Sequence, residues 1–338
     1  MRFLSIWRRF FTALQLLPVI ENGEETTLVG GQAVLEGVMM WSPHAWGIAC
    51  RKASGEVIVH AEPLERLSEK HKWMGWPVLR GFMTLGNAMV LGYRALKFSA
   101  NAALEDAQTD DVQTDETGKQ PAKKLEFSGW LAALNVVFSV AFFIFMYKFL
   151  PLAAATKLGK MYPALGGHFM VNFVDGVLRI LLFLLFIWGV SLFPDIRRVY
   201  QYHGAEHKTV FAFEAGKPME IAEAQKFETF HPRCGTSFLM TVMLISMAVY
   251  LFLPATTFWA RFGLRIALLP LITGVSYEII RFAAKHRGSL FAVLTAPGLW
   301  LQRITTQPPA DDQVDCAIVA LNQAMTLEAQ HGGELVIA

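Results

Sequence analysis

The chain has 338 residues, of which 54% are hydrophobic and only 17% charged, a composition too apolar for an ordinary soluble domain and one that makes a membrane protein the first class to test. A net charge of +2, with basic residues spread along the chain, lacks the electrostatic footprint of a nucleic-acid binder, so no nucleic-acid partner is expected. Cys50, Cys234 and Cys316 are odd in number and far apart, which suits a reducing compartment better than a disulfide framework.

Residues 1–28 open with basic residues before an apolar run that Pro18 interrupts, with no small-residue cleavage site after it, so a signal peptide is not expected. Phe3, Trp7, Phe10, Phe11, Leu14 and Leu17 fall on one helical face with Arg2, Arg8 and Arg9 nearby, the pattern of a helix lying in a membrane interface. A disordered or packed amphipathic start is the alternative.

Residues 29–104 form a glycine-rich, membrane-proximal element. Within it, Trp46 to Lys52 and Glu56 to Ala61 alternate around Ala53, Ser54 and Gly55, which predicts a β-hairpin. Pro77 to Leu104 reads as a helix, but Arg80, Arg94 and Lys97 leave too short an uncharged stretch to span, so interfacial, re-entrant or packed against the bundle are the options. The glycines of VGGQAVLEGVMM and LRGFMTLGNAM suit close backbone approach, not phosphate binding. Residues 105–128 are polar and acidic at first and predict a disordered linker.

Residues 129–307 are predicted to be a membrane bundle. A span needs roughly 20 mostly apolar residues, and four stretches qualify: Leu131 to Leu150, Phe169 to Phe193, Phe238 to Trp259, and Ile266 to Phe282, the last with Pro270, Glu278 and Arg281 inside it. Asp175 and Arg179 in the second are four positions apart and can pair. Lys and Arg concentrate before the first span, between the second and third, and after the fourth; by the retention of basic residues on the cytoplasmic side, both termini and the central loop, 194–237, are expected in the cytoplasm. In 308–338, Val314, Ile318, Leu321 and Met325 mark an amphipathic helix opened by Asp311.

Chemistry concentrates on the central loop. In HGAEH, His203 and His207 stand one helical turn apart and can share one divalent ion such as zinc, while Glu206 is placed to take a proton from water at that ion. This is the H-x-x-E-H arrangement of inverted zinc peptidases, weakened by about 1 kcal/mol of helix propensity at Gly204. HPRCGTS adds His231 and Cys234 before the third span. Together with the first pair they would make a saturated, structural four-ligand site. Glu278, about a turn from the cytoplasmic end of the fourth span, is a further candidate ligand, with a structural pair to Arg281 as its alternative. Cys234 as a nucleophile and Cys234 as an inert buried thiol are two more readings.

The blocks GGQAVLEGVMMWSPHAW, LRGFMTLGNAM, YHGAEHKTVFAFE, HPRCGTSF and APGLWLQRITTQPP, in this order, resemble the YqhQ family of bacterial membrane proteins. That resemblance implies a multi-pass protein of the bacterial cytoplasmic membrane, described as a predicted metal-dependent enzyme, and carries no established catalytic residues.

The expected fold is therefore mainly α: a polytopic helical membrane protein of about four spans with a small cytoplasmic hairpin element. The expected activity is that of a metal-dependent hydrolase with a membrane-adjacent substrate, His203, His207, His231, Cys234 and Glu278 as ligand candidates and Glu206 as the base. The competing class is a non-enzymatic transporter, channel or assembly factor, homo-oligomeric, whose metal site is structural or absent.

Overall fold

The expected hairpin of residues 46–61 is one half of a larger sheet. The computed structural model describes residues 29–64, 72–114, 129–231, 234–253, 257–285 and 290–331; the amphipathic start at 1–28, the last residues of the tail and most of the predicted linker lie outside these. Four strands, β1 (Gly30–Val34), β2 (Gly37–Trp41), β3 (Ala45–Arg51) and β4 (Val57–Pro63), form an antiparallel meander in that order. The turn between β3 and β4 falls where the sequence places it, closed by Lys52 N–H donating to the Glu56 carbonyl at 2.8 Å.

The β1–β2 hairpin is not foreseen in the sequence. Its two-residue turn is Leu35 and Glu36, with Glu36 at φ 51°, in place of the Asn-Gly or Asp-Gly pairs that advertise such turns. The sheet is also covered on both faces, so its strands lack the alternation of a half-solvated strand. Val38, Met40 and Ala49 pack on one side with Tyr202, Ala205, Ala317 and Leu321. Met39, Ile48 and Cys50 pack on the other with Leu91 and Ala95.

Three helices supply that cover: α1 (Leu79–Thr114) on one face, α5 (Pro194–Glu214) and the C-terminal α11 (Asp311–His331) on the other. Helix α1 is thus packed against the sheet, a placement not among the interfacial, re-entrant and bundle-packed options read from the sequence. The helix runs on through Thr114, ten residues into the segment expected to be unordered (105 to 114). Val314, Ile318 and Leu321 of α11 are buried as expected. Its first turn is fixed from Gln313, whose side chain accepts the Ala310 N–H at 2.9 Å, the return half of a capping box. These elements, with α6 (Ile221–Ala224), the start of α7 (Gly235–Leu251), α10 (Leu290–Thr305) and the rest of the chain from Gly274 onward, make one of two units.

The second unit holds the apolar helices. α2 (Gly129–Ile144) continues through a π turn at Phe145–Phe149 into α3 (Leu150–Met161), and α4 is His168–Val190. Leu134–Met161 and His168–Val190 are long and apolar enough to cross a membrane, and a third candidate is the pair α8 (Phe258–Ala267) and α9 (Leu269–Lys285), bent by 49°. Among the described residues the expected four spans are therefore two or three candidates. The stretch 238–259 is not one helix: α7 ends at Leu251 after 17 residues, a rise of about 25 Å against a hydrocarbon core of about 30 Å, and Phe258 opens a new helix. The bend in the last pair falls at Leu268, just before Pro270, whose ring and missing N–H interrupt the ladder.

Inside this unit Asp175 pairs with Arg179 at 2.5 Å, as the spacing predicts, and also with Arg265 at 2.9 Å. Arg265 also donates to Asn172 at 2.7 Å, and both guanidiniums lie 5.1 Å from the Tyr250 ring centre. All three charged side chains are almost fully buried. Arg265, in the last turn of α8, is therefore part of the buried charge cluster of this unit.

Candidate metal centre

The central segment 194–237 is for half its length a helix, α5, which starts with Pro194 at its first turn, where the missing N–H costs no hydrogen bond. On it His203 and His207 face the same way, their ring centres 4.4 Å apart. Gly204 between them has a definite cause: the Gln307 backbone crosses the helix there, its N–H donating to the Tyr200 carbonyl at 2.9 Å, and a Cβ at position 204 would collide with the Gln307 carbonyl. What reads in the sequence as a weak helical position is a contact between chain segments.

Cys234 joins the two histidines. It stands immediately before the first residue of α7, so its sulfur lies at the positive end of that helix, receives the Thr236 N–H at 3.4 Å and lies 3.1 Å from the Thr236 hydroxyl. The His203 Nε2 is 3.2 Å from the Cys234 Sγ, close to the edge of roughly 3.5 Å that a tetrahedral zinc imposes on a nitrogen and a sulfur ligand. One donor atom each from His203, His207 and Cys234 lies within 4.8 Å of the others.

Backbone carbonyls fix which nitrogen each histidine presents. His203 Nδ1 meets the Thr305 carbonyl at 2.8 Å, and His207 Nδ1 meets the Thr229 carbonyl. A carbonyl only accepts, so both Nδ1 atoms carry hydrogen and both Nε2 lone pairs remain for a cation, the outer-shell arrangement of metal-binding histidines. The His207 Nε2 is buried and makes no hydrogen bond of ordinary geometry among the described residues, its side chain interacting with Cys234. Burial lowers the pKa of His207, keeping it neutral, the form that ligates. These features fit a divalent, zinc-like ion.

Glu206 is buried at the edge of the triad. Its Oε2 is 3.8 Å from His203 Nε2, and it accepts the backbone N–H of Gly31. A Cβ at Gly31 would lie 2.7 Å from the Glu206 side chain, so β1 presses directly on this carboxyl. Burial raises its pKa, since a carboxylate taken out of water is disfavoured against its protonated form.

The other two ligand candidates are elsewhere. His231 forms a layer behind the triad: its ring is 5.6 Å from that of His207 and its Nε2 is 3.5 Å from Glu214. Its backbone is clamped by Gln302, which accepts the His231 N–H and donates to its carbonyl, both at 2.7 Å. Glu278 is held by Arg80, with Nε donating to Oε1 at 2.7 Å, and by the Val78 N–H. It lies outside the His203–His207–Cys234 group, and its partner is Arg80, not the Arg281 expected from spacing. Thr229, Glu214, Gln302 and Thr305 are missed in the sequence because two act through their carbonyls and all lie far along the chain from the histidines they hold. A cavity of 360 Å³ reaches this shell, lined by Thr229, Thr306 and Lys208 among others.

The fold and site define a mainly helical protein with, among the described residues, two or three candidate helices apolar enough to cross a membrane, and with two histidines on a helix packed against a small sheet joined by one cysteine. The chain belongs to the family described as "Protein of unknown function (DUF1385)", which its residues 76–327 match. Over 301 residues it is 32% identical to the "Uncharacterized protein YqhQ" of Bacillus subtilis (strain 168), covering 89% of this chain and 93% of that protein. No solved structure matches it.

Proposed function

We propose that this chain is a metal-dependent hydrolase of the bacterial cytoplasmic membrane, acting at the cytoplasmic face on a membrane-adjacent substrate. The observation that carries the reading is the triad itself: two imidazoles oriented through Nδ1 by the Thr305 and Thr229 carbonyls, the His203 Nε2 3.2 Å from the Cys234 sulfur and a ligand atom of His207 in the same group. Three protein ligands are the number a catalytic zinc takes, leaving one position for substrate or water. A bound divalent ion would supply Lewis acidity to a substrate oxygen. Glu206, one residue from a ligand and buried, takes and returns the proton. The cavity at Thr229 offers an approach from one side.

A cytoplasmic location for α5 and the segment after it is supported by Arg197, Arg198, Lys208, Lys217 and Lys226, since basic residues are retained on that side of a membrane. A second reading rests on His231: released from Glu214, it would close a four-ligand structural site. Metal analysis of the purified chain separates these. A hydrolase is expected to hold one ion per chain in wild type, Glu206→Gln and His231→Ala, with Glu206→Gln inactive on a panel of ester, amide and phosphoester substrates. A wild-type chain free of metal, or a Glu206→Gln variant as active as wild type, sinks the proposal. Metal loss in His231→Ala turns it to the structural site.

A further inference from the structure

We propose that a groove between the start of α1 and the last turns of α9 binds the headgroup of an anionic phospholipid. The groove has a volume of about 570 Å³. Val275, Ile279 and Phe282 form its apolar side; spaced by four and three, they share one face of α9. Phe282 is 44% exposed.

The polar side is built with more cation than it consumes. Glu278 is occupied by three donors, two from the Arg80 guanidinium and one from the Val78 N–H. Arg281, one turn further on α9, lines the same groove and acts on Glu278 through its charge, while the hydrogen bonds on that carboxylate come from Arg80 and Val78. Two guanidiniums against one carboxylate leave a net positive lining, with the Arg281 fork positioned for phosphate oxygens to satisfy in pairs. The rim is also held rigid. Val78 has φ 70°, a left-handed conformation that a β-branched residue adopts only under constraint. It is held there by its N–H on Glu278 and by its carbonyl against Gly274, where a Cβ would collide.

Position selects the ligand. The bent apolar pair α8–α9 that is the third candidate span ends at Phe282, so Arg281 stands where a span passes from acyl chains to headgroups. A phosphate alone would leave Val275, Ile279 and Phe282 in water, whereas a phospholipid covers them with its acyl chain. This inference stands apart from the metal centre, since no residue of the groove belongs to the triad.

The test is native mass spectrometry of the full chain in an uncharged detergent, titrated with phosphatidylglycerol or phosphatidylcholine. Wild type is expected to retain one phosphatidylglycerol per chain and to ignore phosphatidylcholine. Arg281→Gln, an exposed substitution with an unchanged melting temperature, is expected to bind about tenfold more weakly. Ile279→Trp, or Phe282→Ala should the first misfold, is expected to weaken binding with the charges intact. Cys234→Ser is expected to bind lipid as wild type does, even if the metal reading fails. Equal retention by wild type and Arg281→Gln, equal binding of the two lipids, or full displacement by millimolar inorganic phosphate would each overturn the proposal.

Discussion

His203 Nε2 and Cys234 Sγ, 31 positions apart in the chain, lie 3.2 Å from each other. One belongs to the middle of a helix and the other stands just before the next long one, and backbone groups orient both. The Thr305 carbonyl sets the imidazole, and the amide of Thr236 addresses the sulfur. Pre-orientation of this kind lowers the entropic cost of binding a cation.

The three cysteines are expected to divide by reactivity. Burial pushes the Cys50 thiol up to about 12 and the Cys316 thiol up to about 11. At pH 8 their thiolate fractions are then roughly one in a thousand or less, and the thiolate is the nucleophile. Native alkylation with iodoacetamide, mapped by mass spectrometry after chelation, should therefore modify Cys234 and spare the other two. Labelling of Cys50 at a comparable rate would contradict the packing of β3 against α1.

Gly204→Ala should destabilise the fold even though alanine is the better helix former. Its gain of about 1 kcal/mol in helix propensity is opposed by the collision with the Gln307 carbonyl, and overpacking of this kind costs about 1–3 kcal/mol. A lower melting temperature than wild type, with reduced metal content, is the expected outcome; a rise in melting temperature would show that the crossing chain yields freely.

Glu328 ties α11 to the β2–β3 connection. Burial acts to raise its pKa, but hydrogen bonds from the His44 ring, the His44 N–H and the Ser42 hydroxyl outweigh it and leave the carboxyl below its ordinary range. The unfolded chain therefore binds this proton more readily than the folded one. The stabilisation is complete above the ordinary carboxylate pKa and disappears as pH falls through the lowered folded value. Glu328→Gln is expected to lose about 1–3 kcal/mol at neutral pH. In urea titrations its gap to wild type should close toward pH 3; a gap constant with pH would remove the carboxylate from the account.

Asp175→Asn should be among the most damaging single changes in the apolar unit. It leaves Arg179 and Arg265 buried without their shared counter-charge, a situation that costs about 3–5 kcal/mol. Thermal unfolding in detergent is the measurement, and a shift no larger than that of an exposed substitution such as Lys226→Gln would show that the guanidiniums find other partners.

Much of the α-helical framework and one pair of site residues were legible before any coordinates. The i, i+4 spacing of His203 and His207 and of Asp175 and Arg179 is a local property, set by 3.6 residues per turn, and both pairs meet as the spacing requires. The β3–β4 turn and the apolar face of α11 were legible for the same reason. What tertiary structure alone decided is everything joined across long stretches of chain: Cys234 and not Glu278 beside the two histidines, Arg80 and not Arg281 on Glu278, Arg265 drawn into the Asp175 pair, and the β1–β2 hairpin buried on both faces. Periodicity fixes which side chains share a helix face, but which faces meet depends on packing between distant segments, and a single sequence carries no local signal of that.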